Sequence, residues 1–439
     1  MSEKLVYLLQ RLSRKTWWRC AMFSLFAVAA VVLASVLGPR IPPTVALKLG
    51  SDAIGSLLGI LASSMLTVAI FSASTMVSSF SAVANSATPR ASQLLIEDTT
   101  IQNTLAAFIG AFLYSIIALV GLHAHVYGDG GRLVLFAFTL VVLLIVVVVL
   151  LRWIDYLSVL GRLGETIRRV ETATTQAMDQ RIERPFLGGR RQQPHERGAE
   201  EVRAATTGFV QHVSMDLLQA KARALDTRLH LHALPGAFVD PLSVLVSSEA
   251  TLDDADREAI RQAILIGPGR SFDHDPRFGL VVMGEIAARA LSASINDPGT
   301  VLDIMATAVR TLSHWADRQA EPRPDAGANA ENEAPFDRVT APAVREEGML
   351  EDVFMPIARY GAPAVDVGVV LQHALHSVQR LYPRFVDEAG HIAAYALERA
   401  AHQGLCASDL DALRAAHEGE GTAHAGRRDR FTRPVRQTP

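Results

Sequence analysis

Charge is distributed so unevenly along this 439-residue chain that the distribution alone limits what it can fold into. Residues 20 to 151 hold eight Asp, Glu, Lys or Arg side chains in 132 positions. A globular domain with so few charges has too little polar surface to cover itself in water. Residues 152 to 439 hold 73 in 288 positions, which is ordinary for a soluble domain. The pattern predicts a membrane sector followed by a larger water-facing sector. It excludes a wholly soluble enzyme. Cys20 and Cys406 are the only cysteines, so neither a disulfide framework nor a CxxC metal site is open to the chain. A net charge of −3 argues against nucleic acid as a partner.

Four stretches are apolar over a length that crosses about 30 Å of hydrocarbon. They are Cys20 to Gly38, a segment within the window Ala53 to Pro89, Ile101 to Leu122, and Leu133 to Leu151. Lys4, Arg11, Arg14, Lys15 and Arg19 precede the first span against a single Glu3. The positive-inside rule therefore places residues 1–19 in the cytoplasm, with Trp17 and Trp18 at headgroup level. Four crossings return the chain to the same side, where Arg152, Trp153 and Arg162 form a matching flank.

The second span is chemically unusual. From Ser51 to Arg90 it carries thirteen Ser or Thr and no acidic or basic side chain between Asp52 and Arg90. At 100° per residue, Ser56, Ser63, Thr67, Ser74, Ser78, Ser81 and Asn85 fall within an arc of about 60°. Two readings stay open. Small residues let helices approach closely, and Gly55 with Gly59 forms a GxxxG step that favours packing. Alternatively, the first six of these side chains line an aqueous path, where hydroxyl oxygens replace part of an ion's hydration shell. The third span repeats the small-xxx-small spacing at Ala106 and Gly110. The fourth is rich in Val, Leu and Ile and is expected to face lipid.

Beyond Arg152 the sequence predicts a helical stalk over residues 152–183, with Ile154, Leu157, Leu160, Leu163, Ile167 and Val170 at three- and four-residue steps. Residues 184–417 read as a cytoplasmic α+β domain. Strand signals concentrate in TGFVQHV, RLHLHAL and the PGAF…LSVLVSS pair. Thr251 with Asp254 resembles a capping box, opening a helix to about Leu265. Asp275 before Pro276 and Asp297 before Pro298 read as N-caps followed by Pro at the first helical position. Residues 319–345 are too poor in large apolar groups to offset chain entropy and are expected to be a disordered insertion. The Arg-rich tail, residues 418–439, is expected to be disordered as well. The fold class is thus a mainly α membrane protein: four transmembrane helices, then a mostly helical cytoplasmic domain with a small β-rich part.

The densest polar constellation is Arg270-Ser271-Phe272-Asp273-His274-Asp275-Pro276, with Asn296-Asp297-Pro298 downstream. Asp273, His274 and Asp275 are potential cation ligands, but adjacent residues rarely aim at one centre. A structural role for Arg270, Asp273, Asp275, Asn296 and Asp297 is the stronger expectation, with Arg270 paired to Asp273. His230 and His232 share a strand face without a Cys or carboxylate at ligand spacing. Gly267-Pro268-Gly269 lacks the Lys-Ser/Thr of a phosphate loop. No HExxH, GxSxG or kinase-like set occurs, so no catalytic residue, metal or cofactor is assigned.

FSASTMVSSFSAVANSATPR, TGFV, PGAFV, RSFDHDPRFGL and ALSASINDPGT together resemble the family of domain of unknown function 2254. The resemblance runs from the first span to the helix near Leu381, and its last two motifs are the most specific. It implies a bacterial inner-membrane protein and carries no activity with it. The family usually has Gly shortly after its PG hairpin, where this chain has Asp240-Pro241; the Ala/Pro-rich insertion and Arg-rich tail are peculiar to this chain. Two functional expectations follow from the residues. One is a homo-oligomeric channel or small-solute conduit with a cytoplasmic regulatory domain; the other is a membrane-anchored scaffold or sensor that binds a cytoplasmic protein or ligand.

Overall fold

The computed structural model describes residues 16–37, 51–96, 98–193, 196–321 and 334–419. The expected cytoplasmic N-terminus up to Lys15, most of the Arg-rich tail and the centre of the Ala/Pro-rich insertion lie outside the described residues. The chain divides into two compact units, one centred on the helices before Glu165 and one built from Thr166 onward.

Among its described residues the N-terminal unit consists of helices joined by turns, with no strand. α1 covers Thr16–Leu37, α2 Ser51–Ser86, α3 Pro89–Ile96, α4 Thr99–His123 and α5 Asp129–Leu157. Among the described residues three helices are long and apolar enough to cross a membrane: Asp52–Ser86, Thr99–His123 and Gly130–Leu157. α1, a helix of 22 residues that overlaps the first expected span, is not among these three. α2 is 36 residues long. At 1.5 Å per residue it reaches roughly 54 Å, well beyond a hydrocarbon core. It runs unbroken because its sequence offers no internal Pro and no charge after Asp52.

α4 is the central helix of this unit. It buries small and large residues on nearly every side, including Ala106, Ala107, Phe108, Gly110, Ala111, Tyr114 and Ala118. Asp98 caps its start, its Oδ1 accepting from Thr100 N at 2.7 Å and Ile101 N at 3.1 Å. Its Oδ2 accepts from Tyr156 Oη at 3.0 Å, tying the start of α4 to the end of α5. Farther along, Tyr114 Oη bonds Thr139 Oγ1 at 3.0 Å. The two helices are therefore antiparallel. α5 leaves Val141, Leu144, Ile145 and Val148 exposed, in keeping with a lipid-facing surface. Trp153, expected at the flank with Arg152 and Arg162, is instead buried among Leu61, Met65, Ile101 and Phe108.

The expected stalk is not one helix. α5 stops at Leu157, a turn follows with Gly161 at φ +83°, and α6 runs Leu163–Glu183. Only a residue without Cβ enters that left-handed region freely. α6 is amphipathic and buries Ile167, Val170, Thr174, Ala177, Met178, Arg181 and Ile182.

The C-terminal unit contains two small sheets inside a helical body. Its strands are β1 (Gly189–Arg191), β2 (Glu200–Arg203), β3 (Gly208–Val213), β4 (Leu229–Leu231), β5 (Phe238–Val239), β6 (Val244–Ser248), β7 (Ile264–Gly267) and β8 (Phe336–Ala341). One sheet has the order β1-β8-β4-β6-β2 and the other β5-β3-β7. β8 is parallel to β1 and β4, and the other pairings are antiparallel. α7 (Met215–Ala224) and α8 (Asp254–Gln262) close over a core of Val202, Val210, Leu218, Leu229, Leu231, Leu245, Val246, Ile260 and Val339.

The remaining helices are α9 (Phe278–Ala290), α10 (Pro298–Ala320), α11 (Met349–Tyr360), α12 (Val365–Leu381), α13 (Val386–Ala401) and α14 (Ala407–His417). Pro356 inside α11 cannot donate to the Asp352 carbonyl four residues back. That oxygen instead faces Gly284 of α9, where a Cβ would lie 2.4 Å from it. The two helices approach closely because one lacks a donor and the other a side chain.

Three sequence expectations need correction here. The segment 319–345 is not wholly structureless, because α10 continues to Ala320 and Phe336–Ala341 forms β8. The capping box lies two residues later than expected, on Asp253 and Asp256. The helix expected from Pro276 begins at Phe278, with Asp275 Oδ1 accepting from Arg277 N at 3.1 Å in the turn before it.

Candidate functional site: an outward hydroxyl face and a buried polar knot

α2 has two opposite faces. Ile54, Leu58, Leu61, Ala62, Met65, Ala69, Ser72 and Val83 are buried. At 100° per residue these centre about 180° away from the hydroxyl stripe. Ser56, Ser63, Thr67, Ser74, Ser78 and Ser81 are all exposed, and so is Asn85. Packing among the described residues therefore does not account for the stripe. The GxxxG step is only half used: a Cβ on Gly55 would sit 3.7 Å from Leu122, whereas Gly59 meets nothing within 4 Å.

The hydroxyls differ among themselves. Ser63 Oγ donates to Ile60 O at 3.1 Å and Thr67 Oγ1 to Ser63 O at 2.9 Å. Ser56, Ser74, Ser78 and Ser81 make no side-chain hydrogen bond among the described residues. Bulky neighbours flank this row, since Ile60, Ile70, Phe71 and Val77 are each about 60% exposed.

The second site is the polar knot around Asp275. Its carboxylate is buried and accepts from Arg270 Nε at 2.7 Å. Arg270, not paired with Asp273 as expected, also lies 5.2 Å over the Phe278 ring. Asp273 instead accepts from Ser271 Oγ at 3.1 Å. The reason for the exchange is Gly236 in the PGAF turn, at φ +94°, where a Cβ would come within 2.2 Å of Asp275 Oδ2. The backbone of this turn, which passes from one sheet to the other, thus closes on Asp275 and not on Asp273.

Arg181, which the sequence reading passed over, enters from α6 and donates to His274 O at 3.1 Å. Burial lowers its pKa to about 10, an effect the nearby Asp275 charge partly offsets. The available signal was position: Arg181 continues the buried row Val170, Thr174, Met178.

Asn296 and Asp297 do not join this knot. α9 separates the two motifs by 13 residues, roughly 20 Å of helix. Asn296 is exposed at φ +47°, and Asp297 caps α10 by accepting from Thr300 N at 3.1 Å and Thr300 Oγ1 at 2.6 Å. Those bonds hold its carboxyl below the usual range. Among the described residues no three His, Cys, Asp or Glu side chains are grouped to hold a metal ion.

His230 and His232 lie on the polar face of the larger sheet. Register aligns Arg190, Thr340, His230, Ser247 and Glu201 in one row across all five strands. His230 Nδ1 bonds Thr340 Oγ1 at 2.9 Å, and His232 Nε2 bonds Ser247 Oγ at 2.8 Å. Each histidine is thus bonded across strands, and His230 Nε2 also lies 3.4 Å from Glu249 Oε1, a carboxylate the sequence spacing did not reveal.

Long apolar helices followed by a separate α+β unit define a predicted membrane protein. The family model for domain of unknown function 2254, described as a predicted membrane protein, matches residues 13–377, and the chain belongs to that family. No curated protein and no solved structure matches it.

Proposed function

We propose that the chain forms a homo-oligomeric conduit for ions or other small polar solutes in a bacterial inner membrane. In this reading it crosses the bilayer four times with both termini in the cytoplasm, and α2 lines the path between copies. The C-terminal unit lies in the cytoplasm and biases opening. One observation carries the reading: the hydroxyl row of α2 occupies the face opposite the one buried in its own chain, and among the described residues Ser74, Ser78 and Ser81 make no side-chain hydrogen bond.

A hydroxyl left without a partner in an apolar medium costs roughly 1–3 kcal/mol on protein scales. A face with several of them is poorly suited to lipid and well suited to water. Ser63 and Thr67 reduce that cost by bonding within the helix, which leaves Ser74, Ser78 and Ser81 as the side chains that most favour water. One copy does not enclose a path with its own outer face, hence the oligomer. Lining oxygens without charge would replace part of a hydration shell with weak selectivity.

The test is ion flux through liposomes containing the full chain. Wild type is expected to conduct, and Thr67→Trp and Ser74→Trp to abolish flux by filling the path. Flux that survives both tryptophans sinks the lining assignment. A folded, reconstituted protein without flux would favour the anchored scaffold or sensor. That reading draws on the segment between the two sheets that bears Phe238 and Leu242, 62% and 76% exposed.

A further inference from the structure

Among the described residues, three uncharged side chains of the N-terminal unit each bury a polar atom without a hydrogen-bond partner: Ser72 Oγ on α2, Gln102 Oε1 on α4 and Trp153 Nε1 on α5. Their residues are 3%, 1% and 3% exposed. Buried polar groups are almost always bonded, so three in one bundle require an account.

They lie at one level. Gln102 is one turn beyond Asp98, and Trp153 is three residues before Tyr156, the side chain bonded to Asp98. Because α4 and α5 are antiparallel, those two steps move in the same direction along the bundle. Gly55 of α2 faces Leu119 and Leu122 of α4. Ser72 is seventeen residues on, and the same count back along α4 reaches positions 102–105. Ala69, Ile101 and Trp153 accordingly share one packed cluster.

The atoms are also complementary in kind. An indole N–H only donates, and a hydroxyl both donates and accepts. Gln102 Nε2 donates to Ile96 O at 2.8 Å, which fixes the amide so that its oxygen is the atom facing the core. None of the three is charged, so a bare ion finds no counter-charge there.

We infer that α2, α4 and α5 enclose a site for one small neutral hydrogen-bonding molecule, a water. It accepts from Trp153 Nε1, donates to Gln102 Oε1 and exchanges a hydrogen bond with Ser72 Oγ. Buried waters typically make about three such bonds. The site lies on the side of α2 opposite the hydroxyl row and stands or falls independently of the conduit reading.

The experiment is a structure of the full chain at a resolution that shows ordered water, paired with the thermal stability of Ser72→Ala. The expected result is one density peak within hydrogen-bonding distance of all three atoms and a Tm lowered by a few degrees, because the water loses a partner. Well-ordered side chains with nothing between them would overturn the inference. So would a Tm that rises in Ser72→Ala, as removal of a dry orphaned hydroxyl predicts. Neither result bears on flux through the α2 face.

Discussion

At the level of single residues, the Asp275 knot shows how local backbone decides which charge is buried. Asp273 and Asp275 are equivalent in composition and nearly so in spacing from Arg270. Gly236 distinguishes them by closing on Asp275, and no pattern in residues 270–276 reveals that. His232 gives the residue-scale prediction. Burial lowers its pKa first, and the charges of Arg197 and His230 lower it further against a smaller opposing effect of Glu201. With the folded value below the unfolded one near 6.5, the unfolded chain binds the extra proton. This contribution to stability is therefore complete above about pH 6.5 and is lost as the pH falls through the lower folded value. Thermal unfolding between pH 8 and pH 5 should show a smaller acid loss of Tm in His232→Gln than in wild type. Equal slopes would remove His232 from the account.

Among the helices and strands, caps and periodicity were legible and short strands were not. Asp297 before Pro298 was readable because the cap needs only local backbone donors, and the structure places Asp297 on Thr300 N. Asp297→Ala should cost about 1 kcal/mol in denaturant unfolding, while Asp297→Asn should cost much less, since Asn caps nearly as well. If the two variants are equally destabilised, the cap is not the source of the effect. β7 was hidden because four residues, Ile264–Gly267, follow directly on a helix and continue its apolar pattern. β8 was hidden because only Val339 and Ala341 of it are fully buried in the core, with Phe336 packed at its edge, so its composition resembles that of the polar segment around it. The two-faced character of α2 was partly legible: a 100° period gives the hydroxyl arc, but which face its own chain covers depends on α4 and α5.

For the whole molecule, the change of charge density near residue 151 was the dominant signal, and the structural division falls close by, between Glu165 and Thr166. The offset arises because α5 continues past its apolar run to Leu157 and Gly161 then ends the expected stalk. The central claim is that the hydroxyl face of α2 meets water between copies and not lipid. The most direct test is labelling by a charged, membrane-impermeant thiol reagent in sealed membranes. It uses a full chain with Cys20→Ser and Cys406→Ser and one introduced cysteine at a time. Ser74→Cys, Ser78→Cys and Ser81→Cys should react, while Leu144→Cys on the exposed apolar face of α5 should not. If the α2 positions are as unreactive as Leu144→Cys, the face sees lipid or protein, and the conduit reading is contradicted.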